Sequence, residues 1–209
     1  LKGIEYFPCL KKLEMNNINI GNPNISKNKL LQSVRLYNTF TTYVNVNENV
    51  RLKRLYISSE VSMVGKRSLK NMDVSHNKQL EELTLIRGIS AIDVSNLSKL
   101  RILIIGEGKL KTLDVSHNPE LQILSCGGNQ LTELDVSACT KLSSFTCEKN
   151  QLKAVKLPEN LTLVNFECHK NQLTELDMKN GKVTGEMKFD TQCSVVNYAG
   201  IIHNDLMNK

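Results

Sequence analysis

The chain contains no tryptophan, and aromatic residues make up only 5% of its 209 positions. It also has no run of about 18 apolar residues, the shortest stretch expected of a membrane-spanning helix. The scarcity of aromatic residues fits a core built from interchangeable aliphatic layers. The lack of a long apolar run predicts that no segment of this sequence crosses a membrane as a helix.

Three cysteines mark the main regularity of the sequence, because Cys126, Cys147 and Cys168 lie 21 residues apart. The segments around them repeat at the same interval: LKTLDVSHNPELQILSCGGNQ (110–130), LTELDVSACTKLSSFTCEKNQ (131–151) and LKAVKLPENLTLVNFECHKNQ (152–172). If the first residue of each unit is offset 0, apolar residues recur at offsets 0, 3, 5, 11, 14 and 16. A fixed short period predicts stacked, similar units and not a single globular core.

The same register extends in both directions along the chain. Earlier units begin at positions 20, 41, 69 and 89, and a decayed unit occupies 173–190. We expect about nine coils in one domain over residues 1–190. The outer coils fit the pattern less well, as terminal repeats usually do. This domain would hold opening repeats at 1–40, a loop insertion at 58–68 and regular repeats at 69–172. Residues 191–209 are expected to form a cap or a link to a further segment.

Each unit contains two short runs that alternate apolar and polar residues, at offsets 3–5 and 14–16. Alternation with period two predicts strands with one buried face. A unit of 21 residues is too short for a helix, a strand and two turns, so the return limb is expected to be extended or 3₁₀. The sequence therefore predicts a solenoid of about nine 21-residue repeats with little α-helix.

The phrase LxxLxCxxNQLTxLDVSxN resembles the cysteine-containing leucine-rich repeats of internalin-like bacterial surface proteins, and the opening LKGIEYFPCLKKLEM resembles the first repeat of that class. The resemblance implies a curved, right-handed leucine-rich-repeat solenoid with a parallel β-sheet on its concave face. It also implies a secreted or cell-surface protein of a bacterium that binds partners in adhesion or interaction. The chain begins at Leu1 and not at Met, so the absence of a signal peptide is no argument against secretion.

The cysteines at offset 16 replace aliphatic residues of other units, such as Leu85 and Ile105. Buried cysteine behaves as a small hydrophobic residue, so Cys126, Cys147 and Cys168 are expected to form a reduced packing ladder. Neighbouring thiols would be within disulfide reach on distance alone, which leaves a bridge as the alternative. No C-x-x-C spacing supports a zinc site.

Polar residues recur at the two corners of the unit. Stacked asparagines at offset 19 are expected to bond backbone groups that the turn leaves unpaired: Asn129, Asn150 and Asn171. Serines at offset 6 are expected to do the same at the other corner: Ser75, Ser95, Ser116 and Ser137. Cys139 falls at an offset that other units fill with asparagine, and it is expected to lie in a turn.

No pattern in the sequence predicts a catalytic residue, a metal site or a cofactor, and the chain is not expected to be an enzyme. The aspartates at offset 4 are interpreted as a solvated row and not as a calcium site: Asp73, Asp93, Asp114, Asp135 and Asp177. Glu148 and His169 share offset 17 in neighbouring units, and an exposed ion pair between them is expected. No nucleophile beside them supports acid–base chemistry.

Residues at offsets 13, 15 and 17 should point outward from the concave sheet, because 14 and 16 point inward. Two neighbouring patches then become candidate ligand-binding sites. The first is a cationic and aromatic cluster of the residue types enriched in interface hot spots: Arg35, Tyr37, Arg54 and Tyr56. The second is a run of exposed apolar side chains: Ile86, Ile102, Ile104 and Ile123.

The expected function is non-enzymatic binding of a protein ligand on the concave face. Residues 1–109 carry 17 lysines and arginines against 9 acidic residues, whereas residues 110–209 carry 10 against 12. This asymmetry leaves open an anionic polysaccharide as the partner of the first half, with nucleic acid not expected. A structural spacer for another domain is the third alternative, and a monomer is expected in each case.

Overall fold

The structure is a computed structural model that describes residues 1–58 and 69–199. Its framework is a nine-stranded sheet in which each described coil adds a parallel strand to the one before it, in the order β1-β2-β3-β4-β5-β6-β8-β11-β14. The predicted solenoid with its parallel sheet is confirmed. The strands are β1 (Lys12–Asn16), β2 (Ser33–Tyr37), β3 (Arg54–Ser58), β4 (Glu82–Ile86), β5 (Ile102–Gly106), β6 (Ile123–Ser125), β7 (Glu133–Asp135), β8 (Ser144–Thr146), β9 (Ala154–Lys156), β10 (Thr162–Leu163), β11 (Asn165–Glu167), β12 (Glu175–Asp177), β13 (Lys182–Val183), β14 (Met187–Lys188) and β15 (Ser194–Val196).

The strands pair in the register that the repeat predicts. Lys12 pairs with Ser33, and Ile102 pairs with Ile123, so residues at equal offsets are neighbours across the sheet. The 28-residue unit does not break this rule, because β3 pairs with β4 from Arg54 and Glu82 onward. Ser58 still belongs to β3, and the rest of the insertion predicted at 58–68 lies outside the described residues.

The return limb is extended, as predicted. Six short strands there form three two-stranded parallel sheets, β7 with β9, β10 with β13, and β12 with β15. A single 3₁₀ turn, Ile4–Tyr6, is the one helical element of the described ranges. No helix in those ranges is long and apolar enough to cross a bilayer. The pairing of β12 with β15 carries the return limb beyond position 190.

The core is one continuous column of aliphatic layers between the two limbs. Inward residues such as Val34, Leu83 and Leu124 are completely buried, since each packs on its counterparts in the coils above and below. Near the end of the solenoid the column becomes aromatic, where the rings of Phe145 and Phe166 stack with centroids 5.4 Å apart. No coil has a core of its own, so stability comes from stacking.

Asparagines bond backbone carbonyls at both corners of the coil. At offset 19, Asn150 Nδ2 donates to the carbonyls of Cys126 and Cys147 at 3.0 Å, and its Oδ1 accepts from the Leu131 amide. A second ladder occupies offset 8, where each buried Nδ2 donates to two carbonyl groups of the preceding coil: Asn28, Asn49, Asn77 and Asn118. At offset 19 these bonds satisfy carbonyls that the turn leaves without a backbone partner. At offset 8 each carbonyl also accepts a backbone amide of its own turn, so the asparagine supplies a second hydrogen bond.

The serine ladder predicted at offset 6 is wrong. The amides of Ser75, Ser95, Ser116 and Ser137 instead donate to the carboxylate two residues earlier, within their own coil. Asparagine takes the bridging role because its amide group reaches two carbonyls at once, whereas a hydroxyl has a single proton to donate. Cys139 lies within the corner but is completely buried, with its thiol 3.6 Å from the Val115 carbonyl.

Candidate functional site

The solvent-facing side of the nine-stranded sheet is the predicted concave face, and we use that name for the residues at offsets 13, 15 and 17. Strand β4 shows the alternation that creates it: Leu83 and Leu85 are buried, whereas Glu82, Thr84 and Ile86 are half-buried. The same pattern holds in β5. Parallel pairing thus places one row of outward side chains from every coil on a single continuous surface.

The four predicted isoleucines come together across β4, β5 and β6. Ile102 pairs directly with Ile123, and Ile104 stands two residues further along β5 on the same side. Ile86 pairs with Gly106, and its Cδ1 lies 3.7 Å from where a Cβ of that glycine would stand. Each isoleucine is half-buried, because its neighbours cover part of it. We call these four residues the isoleucine patch.

Gly127 follows Gly106 in the same row and makes room for a different neighbour. A Cβ built on Gly127 would lie 2.6 Å from Glu148 Cδ, so the Glu148 side chain occupies the space above this glycine. Its Oε2 is shielded from solvent and has no hydrogen-bond partner among the described residues. A carboxylate without a partner therefore borders the isoleucine patch, a feature that the sequence analysis missed.

The predicted cationic and aromatic cluster also assembles, on β2 and β3. The rings of Tyr37 and Tyr56 lie 4.3 Å apart at the centroids, tilted by 36°. With both arginines they line a depression of about 110 Å³ that Glu82 and Thr84 close on the side of β4. The site is small, but it brings two ring faces and a guanidinium to one place.

The two arginines of this cluster differ in their partners. Arg54 Nε donates to Glu82 Oε1 at 3.1 Å, which was not foreseen. The Arg35 side chain forms no ion pair or hydrogen bond with any described residue, because the nearby Glu14 is held by Lys12 at 2.8 Å. That ion pair, with a smaller contribution from Arg35, lowers the pKa of the exposed Glu14 carboxyl.

Other cations of the basic first half are paired as well. Lys29 contacts Glu48, Lys53 contacts Glu81, and Arg87 contacts Glu107 at 2.7 Å. Other cations of this half, such as Lys27, Arg51 and Lys78, have no ion pair among the described residues, so acidic side chains neutralise the positive excess only in part.

The predicted ion pair between Glu148 and His169 is wrong. Among the described residues, His169 Nδ1 has its ion-pair contact with Glu167, at 3.9 Å, and it makes no hydrogen bond. The two side chains diverge because Gly127, on the far side of Glu148, leaves space that the carboxylate fills.

The three repeated cysteines lie beneath this surface in the core. Cys126, Cys147 and Cys168 are at most 1% exposed, and all the cysteines of the chain are free thiols. Burial raises the pKa of the Cys147 thiol well above its usual value, and the neighbouring thiols raise it further. A thiol kept neutral in this way is a poor nucleophile and a poor metal ligand.

The aspartate row lies on the return limb and not on the concave face. Each carboxylate accepts a hydrogen bond from the amide two residues later, a serine amide in every coil but the last. Hydrogen bonds from Ser95 lower the pKa of the Asp93 carboxyl. No group of three or more His, Cys, Asp or Glu side chains in the described ranges has a geometry that would hold a metal ion.

Comparison with known proteins gives matches at the level of structure. No protein-family model matches the chain. No curated protein matches its sequence. Among solved structures, the functional domain of InlJ from Listeria monocytogenes, which includes a cysteine ladder, superposes with a TM-score of 0.59 at 23% identity, over 94% of this chain and 51% of that one.

Two further structures are similar in the same way. A leucine-rich-repeat protein of Leptospira interrogans gives a TM-score of 0.64 at 18% identity, over 93% of this chain and 52% of that one. Internalin C2 of Listeria monocytogenes gives a TM-score of 0.59 at 16% identity, over 81% of this chain and 76% of that one. The chain spans about half the length of the first two structures. These likenesses show that the chain has the leucine-rich-repeat fold that the resemblance of its repeats implied.

Proposed function

We propose that the chain is a non-enzymatic recognition module that binds a protein ligand on its concave face. The observation that carries the proposal is the isoleucine patch, which places four large apolar side chains next to one another on an otherwise polar sheet. A contiguous apolar patch on a soluble protein usually marks an interaction site, whereas scattered apolar residues do not. Solenoids use their extended faces for binding in the same way.

The cationic and aromatic cluster belongs to the same docking surface. Tyrosine and arginine are enriched among interface residues that dominate binding energy, and the rings of Tyr37 and Tyr56 already contact each other before a ligand arrives. A preformed pair of rings loses little conformational entropy on binding. A ligand that covers β2 to β6 would contact both patches.

The mutational test uses a partner isolated by pull-down with the purified solenoid. We expect Ile104→Asp and Tyr56→Ala each to weaken binding about 30-fold or more, as hot-spot substitutions do. The matched controls are Val50→Asp and Tyr43→Ala, which change residues at least 50% exposed on the return limb. Unchanged affinity in both concave-face variants would remove this surface from consideration.

A bacterial cell-surface location and a role in adhesion are part of the proposal. The support is the fold shared with InlJ and internalin C2 of Listeria monocytogenes. Protease treatment of intact cells that express the protein tests the location: digestion of the solenoid without lysis is expected. Protection until the cells are broken would contradict it.

An anionic polysaccharide is the second candidate ligand, favoured by Arg35 and the tyrosine pair. Sugar rings stack on tyrosine faces, and an unpaired guanidinium can bind a carboxylate or sulfate. Affinity should then fall with salt concentration and be lost in Arg35→Ala. A flat salt response would rule this ligand out.

A further inference from the structure

The concave face carries two charged side chains without a partner, and they lie on opposite sides of the isoleucine patch. Other charged groups of this face within the described ranges are engaged, such as Arg54 with Glu82 and Lys188 with Glu186. Arg35 and Glu148 are the exceptions: neither forms an ion pair or a side-chain hydrogen bond in the part of the chain that the structure describes. One is a cation on β2, and the other is an anion just after β8.

The strand order fixes the separation of these two charges. Five strand-to-strand steps lead from β2 through β3, β4, β5 and β6 to β8. At about 4.8 Å per step, Arg35 and Glu148 lie about 24 Å apart along the solenoid axis. The isoleucine patch on β4, β5 and β6 fills the interval between them.

Both charged side chains lack hydrogen-bond partners among the described residues. Glu148 Oε2 is removed from water without a hydrogen bond, an arrangement that costs free energy until a donor arrives. The Arg35 guanidinium offers five donors in a planar fork that matches a carboxylate. A partner that supplied a carboxylate at one end and an ammonium or guanidinium at the other would satisfy both.

We infer that the concave face selects a protein segment with an acidic group at its Arg35 end, an apolar centre over the isoleucine patch and a basic group at its Glu148 end. This inference rests on the proposed function and adds the charge pattern of the partner to it. The apolar contact supplies affinity, and the two charges set orientation and exclude segments with like-charged ends.

The test uses three synthetic peptides with one shared apolar centre: one with an acidic and a basic end, one with two acidic ends and one with two basic ends. The charged ends are placed about seven residues apart, because an extended chain advances about 3.3 Å per residue. The wild-type protein should bind the mixed-charge peptide about tenfold more tightly than either of the others.

Charge reversal should switch the preference in a predictable way. The Arg35→Glu variant should bind the peptide with two basic ends best, and the Glu148→Lys variant should bind the peptide with two acidic ends best. In each case the affinity should exceed that for the mixed-charge peptide by about tenfold. Two matched controls on the return limb, Lys111→Glu and Glu133→Lys, change exposed residues and should keep the wild-type order. The neutral variants Arg35→Gln and Glu148→Gln, which carry less risk of misfolding, should lose the discrimination at their own end.

The outcomes separate this inference from the proposed function. Equal binding of the three peptides, no binding by any of them, or an unchanged order in both reversals overturns the inference. Binding that requires a second copy of this chain, seen as dimer formation by the wild type alone, overturns it as well. If Ile104→Asp weakens all three peptides equally while the reversals have no effect, the docking surface stands and only the charge pattern fails.

Discussion

The carboxylate of Glu148 lies above the α-carbon of Gly127, in the space that a side chain would otherwise occupy. This relationship joins the two coils at the border of the isoleucine patch. A residue larger than glycine at 127 would push the carboxylate away, so the position of the unpaired charge depends on the neighbouring coil.

Gly127→Ala is expected to move Glu148 at little cost to folding. The new methyl group would meet the end of a flexible side chain, so the free energy of unfolding should change by less than about 1 kcal/mol. Gly108→Ala is the contrasting variant, because its Cβ would lie 2.6 Å from the Ile89 carbonyl oxygen. That backbone atom has little freedom to shift, so a loss of about 1–3 kcal/mol is expected in urea unfolding. Equal effects of the two variants would contradict the structure.

Asn150→Ala should destabilise the solenoid strongly. The substitution leaves the buried Leu131 amide without its hydrogen bond, at about 1–3 kcal/mol before relaxation. It also removes one of the two asparagine hydrogen bonds to each of the Cys126 and Cys147 carbonyls, which keep only those from Asn129 and Asn171. A loss of at least about 2 kcal/mol is expected in chemical unfolding. Asn96→Ala is the control, since Asn96 is exposed and should stay within about 0.5 kcal/mol of the wild type.

Cys139→Asn should stabilise the protein. The Cys139 thiol faces the carbonyls of Val115 and Asn118 at 3.6 and 3.8 Å, where the other ladder positions place an amide at about 3 Å. An asparagine would replace weak sulfur contacts by two ordinary hydrogen bonds, each worth about 1 kcal/mol, but it would also bury an Oδ1 that has no partner at the other ladder positions. We expect a net gain of about 1 kcal/mol or less in the free energy of unfolding. A lower unfolding midpoint than that of the wild type would show that position 139 is not equivalent to the ladder positions that hold asparagine.

The register of the nine-stranded sheet and the side-by-side placement of the four isoleucines could be predicted from the sequence. The reason is that a strict period converts offsets into neighbours: Ile102 and Ile123 share offset 13, and they pair. The pairing of Arg54 with Glu82 was available by the same rule and was overlooked. The asparagine ladder at offset 8 had a signal too, since asparagine recurs there in five units: Asn28, Asn49, Asn77, Asn118 and Asn160. The bounds of the strands were off by one residue, since β6 covers offsets 13–15 and β7 covers offsets 2–4, against the predicted 14–16 and 3–5.

The conformations of individual side chains could not be predicted in this way. Glu148 and His169 share an offset, which led to the expectation of an ion pair, but a shared offset fixes only the backbone positions. Whether a long side chain leans toward one neighbouring coil or the other depends on the free volume on each side. Gly127 supplies that volume here.

The thiols should respond to pH and to reagents according to their burial. Burial raises the pKa of Cys139 to about 11 and that of the Cys147 thiol well above its usual range. The folded protein therefore keeps these thiols neutral, while the unfolded chain ionises near pH 8.5. Their contribution to stability is complete below that pH and is lost as the pH rises above it.

In the native protein, the exposed Cys9 is expected to react rapidly with an aromatic disulfide reagent, whereas the five buried thiols react only after unfolding. A plot of unfolding midpoint against pH should decline above about pH 8.5. Rapid modification of several thiols at neutral pH, without unfolding, would contradict the buried ladder.

Both proposals depend on residues 21 apart being neighbours on one surface. The most direct measurement is a nuclear Overhauser spectrum of protein labelled at the isoleucine δ1-methyl groups, with signals assigned through single Ile→Val variants. The structure predicts a strong cross-peak between Ile102 and Ile123, which pair across β5 and β6. A spectrum in which these two methyl groups show no contact would contradict the stacking and remove the docking surface with it.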